Sequence, residues 1–377
     1  MRLCLFQGFD LVEASIRRSQ LKLAADWRYL VTIDKAPDII TCIDSEHGWK
    51  VEIDKEGIDD VLHVVYEALR DQGRFNQGSR GGTKELLGVA IRITNPRARI
   101  SRSEDRGKPF SAIGELLWYL SASNKLEFIQ PYIDKYKDDA EADGTLHGAY
   151  GPRLFNMRDE IDQIGNVLKL LKERPGSKRA VVQLFDASDL VGTFGEIPCT
   201  TTAQFLLREG RLNLSVTMRS NDAYFGLPHD VFCFTMLQEM MARRLGYDVG
   251  EYYHYVGSMH VYVDYLPQLQ AYLDEGWQRT ESMPEMPEGD PFEFVEPIVR
   301  AEMEIRKGVT MRAEDVVGTD YWTDILRLVQ VFWASGIPDR LDELKREFHS
   351  DLYRTHLETR RHMRQRIQLN NSGGIKQ

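Results

Sequence analysis

Cysteine is scarce in this chain: Cys4, Cys42, Cys199 and Cys233 are the only four in 377 residues. No two form a CxxC pair and their spacing builds no framework. A disulfide-stapled fold is therefore excluded, and reduced thiols in an intracellular protein are expected. No apolar run approaches the ~20 residues that a helix needs to cross a bilayer. The opening MRLCLFQGFDLVEASIRRSQ meets acidic side chains too early for a secretory signal. Positive charge is also short, with 48 basic against 58 acidic residues and a formal net charge of −10. That balance speaks against a broad face for nucleic acid or an anionic membrane, and leaves room only for a local basic pocket for one phosphate. The histidines lack ligand spacing with cysteine or carboxylates, so no metal site is expected. Repeats and low-complexity blocks are missing. What is left is a cytoplasmic globular protein, long enough for a sizeable core.

The apolar pattern predicts mixed elements. GIDDVLHVVYEALRDQ, from Gly57, carries apolar positions at helical spacing. Residues 76–83, NQGSRGGT, read as a glycine-rich loop before a strand at 85–94. A helix is expected over 110–123, and a long one over 158–174 that stops at Pro175-Gly176. Strands follow at 180–185, 201–209 and 211–219, then an apolar helix at 229–246 and a strand at 251–263. Antiparallel strands mixed with helices, without regular βαβ alternation, read as α+β. The composition turns rich in proline and glutamate over 282–297. Three segments are expected: an N-terminal extension of unknown role over 1–70, a core over 71–275 and a mostly helical C-terminal extension over 276–377. Long helices are expected at 321–336 and 339–368, and a frayed tail beyond. The basic run Arg360–Arg366 reads as a solvated helix face, with a nucleic acid or partner enzyme as the alternative.

Two places carry chemistry. Pro198-Cys199 precedes a strand, and a thiolate is a strong nucleophile where cations lower its pKa. Taken alone, such a cysteine is more often a small buried hydrophobe. The stretch Arg219–Asp230, RSNDAYFGLPHD, gathers polar groups between a strand and an apolar helix. It reads equally as a ligand site or as a capped turn.

Six motifs then occur in order: GELLWYL (114–120), GAYGPRL (148–154), GSKRAVVQLF (176–185), PCTTTAQF (198–205), RSNDAYFGLPHDVFCFTMLQEMMA (219–242) and GSMHVYV (257–263). Together they resemble the thymidylate synthases and their hydroxymethylase relatives over roughly 75–275. The resemblance implies a twisted mixed sheet packed with helices, used as a homodimer with shared sites. It also implies 5,10-methylenetetrahydrofolate as cofactor and a pyrimidine nucleoside monophosphate as substrate. Cys199 matches the nucleophile that adds to C6 of the pyrimidine and so activates C5. Arg219 matches a residue near both the cysteine and the phosphate. Arg80 matches a phosphate-binding arginine, and Ser220 a further phosphate contact. Lys178 and Arg179 match a basic pair that reaches the neighbouring subunit's phosphate, with Lys178 acting as a point charge and not a fork. Glu115, a carboxyl on an apolar helix, matches a group that organises water and moves protons. Tyr150 matches a tyrosine near the nucleophile. His260 and Tyr262, two apart on one strand face, match the pair at the sugar 3′-hydroxyl. Asp222 matches a site-floor residue, and Gln204 a hydrogen-bonding position in the same pocket. Gly226 falls with Tyr136 and Asp139 on the cofactor side.

Two departures matter. Thymidylate synthases carry asparagine where this chain has Asp230. A carboxyl can accept from the amino group of cytosine and share a proton with N3, the opposite of what uracil offers. In the resembled family an aspartate here marks cytidylate hydroxymethylases. The other departure is the loop KYKDDAEADGT, which places Tyr136 and Asp139 where the synthases hold tryptophans against the folate. A polar loop there admits water, as does the lack of a recognisable C-terminal closing segment. His229, in place of an aromatic residue, has no predicted effect. The resemblance thus implies a cytidylate C5-hydroxymethyltransferase. The alternatives are a thymidylate synthase acting on dUMP and a non-catalytic nucleotide-binding protein on the same scaffold.

Overall fold

A computed structural model describes residues 43–45, 48–78, 80–103 and 109–366. The short apolar runs before residue 43, Cys4, Cys42 and the C-terminal tail from 367 lie outside the described residues. Eight strands form one sheet: β1 (Ile43–Ser45), β2 (Gly48–Lys55), β3 (Arg74–Gly78), β4 (Gly81–Ile93), β5 (Val181–Gln183), β6 (Thr200–Arg208), β7 (Arg211–Asp222) and β8 (Asp248–Tyr262). The order is β1-β2-β4-β8-β7-β6-β5, with β3 paired to β4 beside this path. The β2–β4 and β7–β8 pairs are parallel and the others antiparallel. This is the mixed α+β sheet that the strand pattern implies.

The expected glycine-rich loop at 76–83 is instead a hairpin. β3 and β4 pair from Arg74↔Glu85 to Gly78↔Gly81, leaving only a tight turn. Most of β3 faces solvent, so it lacks the alternation that marks a half-buried strand.

Helix α1 (Ile58–Gln72) buries Val61, Leu62, Val65 and Leu69 against the sheet. The expected helix at 158–174 starts only at Gln163, because Asp162 caps it by accepting from the Gly165 N–H. Two long helices bear on the site: α2 (Pro109–Leu120) and α3 (Gly226–Leu245). Apolar on nearly every side, α3 lies between the sheet, α2 and the chain after 290. That later chain forms α4 (Val295–Arg306) and α5 (Asp320–Trp333), both packed on α2.

The helix expected over 339–368 is broken into pieces. His349 and Ser350 donate their backbone N–H groups to Asp324 at 3.0 and 2.9 Å, and Ser350 then caps a new turn. The basic run is no solvated helix face either. Arg360 lies over the Phe110 ring at 3.9 Å, Arg366 over Phe332 at 3.6 Å, and Arg361 pairs with Asp342. No helix among the described residues is long and apolar enough to cross a membrane.

Candidate active site

The ends of β4, β6, β7 and β8, the buried face of α2 and the start of α3 surround a cavity of about 1210 Å³. That is above the usual range for one small ligand, and suits a nucleotide together with a second, larger molecule. Among the residues singled out from the sequence, Arg80, Glu115, Tyr136, Asp139, Tyr150, Cys199, Arg219, Ser220, Asp222, Gly226, Asp230, His260 and Tyr262 line it. Lys178 and Arg179 do not. They are exposed at the turn before β5, outside the cavity of their own chain. Gln204 was expected in the pocket and is not there. It points from the outer side of β6, and its amide donates to the Lys178 carbonyl at 2.9 Å. Strand alternation explains this, because Ala203 and Phe205 take the buried face.

Cys199 stands at the head of β6. Arg219, on β7, donates to the Pro198 and Ile197 carbonyls at 2.9 and 3.0 Å and brings Nη2 to 3.6 Å from the thiol sulfur. Burial nevertheless pushes the thiol up to about 11. Arg219 and Arg80 pull it down, while Glu196 and Asp230 oppose them. The cation was expected to lower the thiol pKa; its contact is present, but desolvation outweighs it. Tyr150, heading a short helix, fixes the strand start by accepting the Thr200 N–H at 2.9 Å.

Glu115 is buried on α2 and fully engaged. Its Oε1 accepts from Tyr136 at 2.8 Å and Tyr119 at 3.2 Å, and its Oε2 lies 2.9 Å from Nδ1 of His229. The other ring nitrogen of His229 is 3.0 Å from Ser111 Oγ. His229 is thus a site residue whose role the sequence did not reveal. Its neighbour at the next position, Asp230, carried the only visible signal.

Asp230 is 9% exposed, and burial pushes its carboxyl well above the usual carboxylate range; the charge of Glu115 adds to this. A hydrogen-bond chain reaches it from β8. Tyr252 meets His254 Nδ1 at 2.8 Å, His254 Nε2 meets Asn221 Oδ1 at 3.0 Å, and Asn221 Nδ2 donates to Asp230 Oδ2 at 2.8 Å. Burial lowers His254 to about 3, so its ring is neutral. An amide oxygen only accepts, so Nε2 carries the proton and Nδ1 accepts from the tyrosine. The orientation of the Asn221 amide follows. Gly226 is required beside it, since a Cβ there would lie 2.8 Å from Asn221 Nδ2.

Arg80, Arg219 and Ser220, the residues expected at a phosphate, all line the cavity. Asp139 holds Arg80 at 2.6 Å, and Arg80 also reaches the Gly195 carbonyl. Asp222 accepts the backbone N–H groups of Tyr224 and Phe225 at 2.8 and 3.0 Å, so it shapes the turn into α3. Ser220 Oγ lies 3.5 Å from His260 Nδ1, and the His260 and Tyr262 rings meet edge to face. Two aromatic pairs also line the cavity: Trp118 against Tyr136, and Phe225 against Tyr265. Lys135 lies over Phe225 and Tyr262 at 5.7 and 5.1 Å. Flat rings with a cation at the rim fit a folate, whose pterin stacks and whose tail is acidic. Glu196, three residues before the cysteine, is a second residue the sequence did not single out.

A family profile described as thymidylate synthase matches residues 75–288. A thymidylate synthase of Bacillus licheniformis is 34% identical over 205 residues, covering 52% of this chain and 73% of its own. "Thymidylate synthase 1" of Bacillus spizizenii is 32% identical over 237 residues, 59% of this chain and 84% of its own. The thymidylate synthase of Bacillus phage phi3T is 32% identical over 206 residues, 53% and 73%. With this profile over more than half of its length, and relatives above 30% identical that are covered over more than two thirds of their own length, the chain belongs to the thymidylate synthase family, whose members transfer a one-carbon unit from methylenetetrahydrofolate to a pyrimidine nucleotide.

Proposed function

We propose that this chain hydroxymethylates C5 of a cytidine monophosphate, dCMP in preference to CMP. The observation that carries the reading is the buried Asp230 carboxyl, held on one oxygen by the Asn221 amide. Asn221 donates to Oδ2, so Oδ2 is the acceptor oxygen and the proton belongs on Oδ1. With Oδ1 toward N3 and Oδ2 toward the amino group, this carboxyl matches the edge of cytosine. Protonation toward N3 also draws electrons from the ring and favours attack at C6.

The other residues take the following roles. Cys199 adds to C6, and Arg219 steadies the thiolate and the phosphate. Arg80 and Ser220 hold the phosphate. His260 and Tyr262 hold the sugar, and Glu115 with His229 organises protons near C4 and C5. Methylenetetrahydrofolate, when bound, supplies the one-carbon unit. Trp118, Tyr136 and Phe225 would hold its rings, with Gly226 and Asp139 at the border of that space. The loop contributes one aromatic ring there, Tyr136, while Lys135, Lys137 and Asp138 around it are exposed. Water therefore has a route to the methylene carbon, which favours hydration over reduction. We further propose a homodimer, in which the exposed Lys178 and Arg179 serve the partner's phosphate site. Residues 71–275 are the proposed catalytic core, with the helices after residue 290 packed against it.

The second reading is thymidylate synthesis on dUMP. The names of the relatives favour it, and the Asp230 carboxyl turned the other way would take uracil. A product assay separates the two. The protein is given methylenetetrahydrofolate with an equal mixture of dCMP, CMP, dUMP and UMP, and the products are identified by mass spectrometry. A 5-hydroxymethylcytosine nucleotide is expected. A 5-methyluracil nucleotide would refute the proposal.

A further inference from the structure

Resting on the hydroxymethylation reading, we propose that Glu196 is the general base for the water that adds to the exocyclic methylene carbon.

The other carboxyls of the cavity are already engaged or lie in solvent. Glu115 accepts from two tyrosines and meets His229. Asp139 holds Arg80, and Asp189 holds Arg153 and His147. Asp222 holds two backbone N–H groups, Asp230 holds Asn221, and Glu85 accepts from Ser258. Asp134 and Asp138 are out in solvent. Glu196 is partly buried in the cavity wall and has no hydrogen-bond partner among the described residues. It alone among the sheltered cavity carboxyls has both oxygens uncommitted.

Its position fits the task. Glu196 lies three residues before the nucleophile, with its Cγ packed close to Gly148, where an added Cβ would stand 3.4 Å away. The charges around it come from every side of the cavity. Asp139 from the loop and Glu115 from α2 oppose its ionisation, while Arg80 from β4 and Arg219 from β7 favour it. Its own charge is felt by Tyr136, Cys199 and Asp230. Its neighbour Gly195 packs against Asp139 of the loop, and Cys199 follows three residues later, so Glu196 lines the cavity on the stretch that joins the loop contact to the nucleophile. Burial and Asp139 bring it to about 7, close to the working pH that suits a base.

The water oxygen bonds to the methylene carbon as its proton passes to the Glu196 carboxylate. The C5–methylene π pair moves to C4–C5, and the C4–N3 pair moves onto N3, facing the Asp230 proton. These pairs then return to form C5=C6 as the C6–S bond breaks. Cys199 leaves as thiolate and recovers its proton from Glu196. The net change is addition of water and release of the free thiol.

The test uses dCMP tritiated at C5 with the full-length parent and Glu196→Gln. Tritium release reports the steps before hydration and shows that the variant folds and binds. In a single turnover, with enzyme in excess over nucleotide, tritium release by Glu196→Gln should stay within about threefold of the parent, while hydroxymethyl product slows on the order of 10²-fold. Mass spectrometry should show a nucleotide adduct accumulating on Cys199, and added mercaptoethanol should divert it to a 5-thioether nucleotide. The rise of parent kcat through pH ~7 should be lost in the variant. The proposal is overturned if product forms at the parent rate, or if tritium release and product fall together. A parent that yields hydroxymethyl product alongside an unaffected Glu196→Gln overturns this proposal alone. A parent that yields only methylated product overturns the hydroxymethylation reading as well.

Discussion

Two regions of this chain bury carboxyl groups and treat them in opposite ways. In the layer formed by α4 and α5, each buried carboxylate has a cation. Glu302, 0% exposed, is held by Arg306 at 2.7 Å and by the Tyr132 hydroxyl at 2.8 Å. Asp324 is held by Arg327 at 2.9 Å and by two backbone N–H groups. The buried Arg99–Glu239 pair beneath them follows the same rule. In the cavity, Asp230 and Glu196 have no directly paired cation, and both are pushed toward the neutral form. Compensated charge holds elements in place; uncompensated charge leaves a proton available for chemistry. The two regions are joined, because Tyr132 also stacks on Phe332 at 4.2 Å, just before the loop that carries Tyr136 and Asp139. The C-terminal layer thus braces the wall of the cavity.

The comparison can be broken by mutation. Glu302→Ala leaves Arg306 buried without its partner and should destabilise the protein by ~3–5 kcal/mol in denaturant unfolding. A loss below about 1 kcal/mol would show that the pair holds nothing in place. The pH dependence of stability sharpens the contrast. A carboxyl raised in the folded state contributes stability that is whole below its unfolded pKa and is lost as pH rises through the folded value. For Glu196 that window runs from the ordinary glutamate range up through about 7. Between pH 5 and 8 the parent should therefore lose stability relative to Glu196→Gln as pH rises; a constant difference between the two would contradict the raised carboxyl. A smaller effect concerns the thiol. With Cys199 pushed up to about 11, alkylation of the free enzyme by iodoacetamide should accelerate up to tenfold per pH unit from 7 toward 10. A plateau near pH 7 would mean that Arg219 outweighs burial after all.

Much of the fold was legible in the sequence, for a definite reason. β6 and β7 alternate buried and partly buried side chains, and α3 is apolar on nearly every side, so period and length announced them. β3 carried no such signal because it is mostly exposed. The breaks in the C-terminal helices depend on Asp324, which reaches them from the preceding helix α5. The site divides in the same way. Cys199, Arg219 and Asp230 sit in ordered motifs and were visible. Glu196 and His229 gain their character from neighbours remote in sequence, Asp139 and Glu115, which only the folded chain brings near. Gln204 was misplaced because a shared motif does not say which strand face a residue takes.

The central claim is that the neutral Asp230 carboxyl, fixed by Asn221, reads cytosine. The most direct test is the ratio of kcat/KM for dCMP to that for dUMP in the parent and in Asp230→Asn. The account predicts a parent that favours dCMP and a variant shifted toward dUMP by on the order of 10²–10⁴, since a mismatched buried edge leaves polar groups unpaired. An unchanged ratio would contradict it.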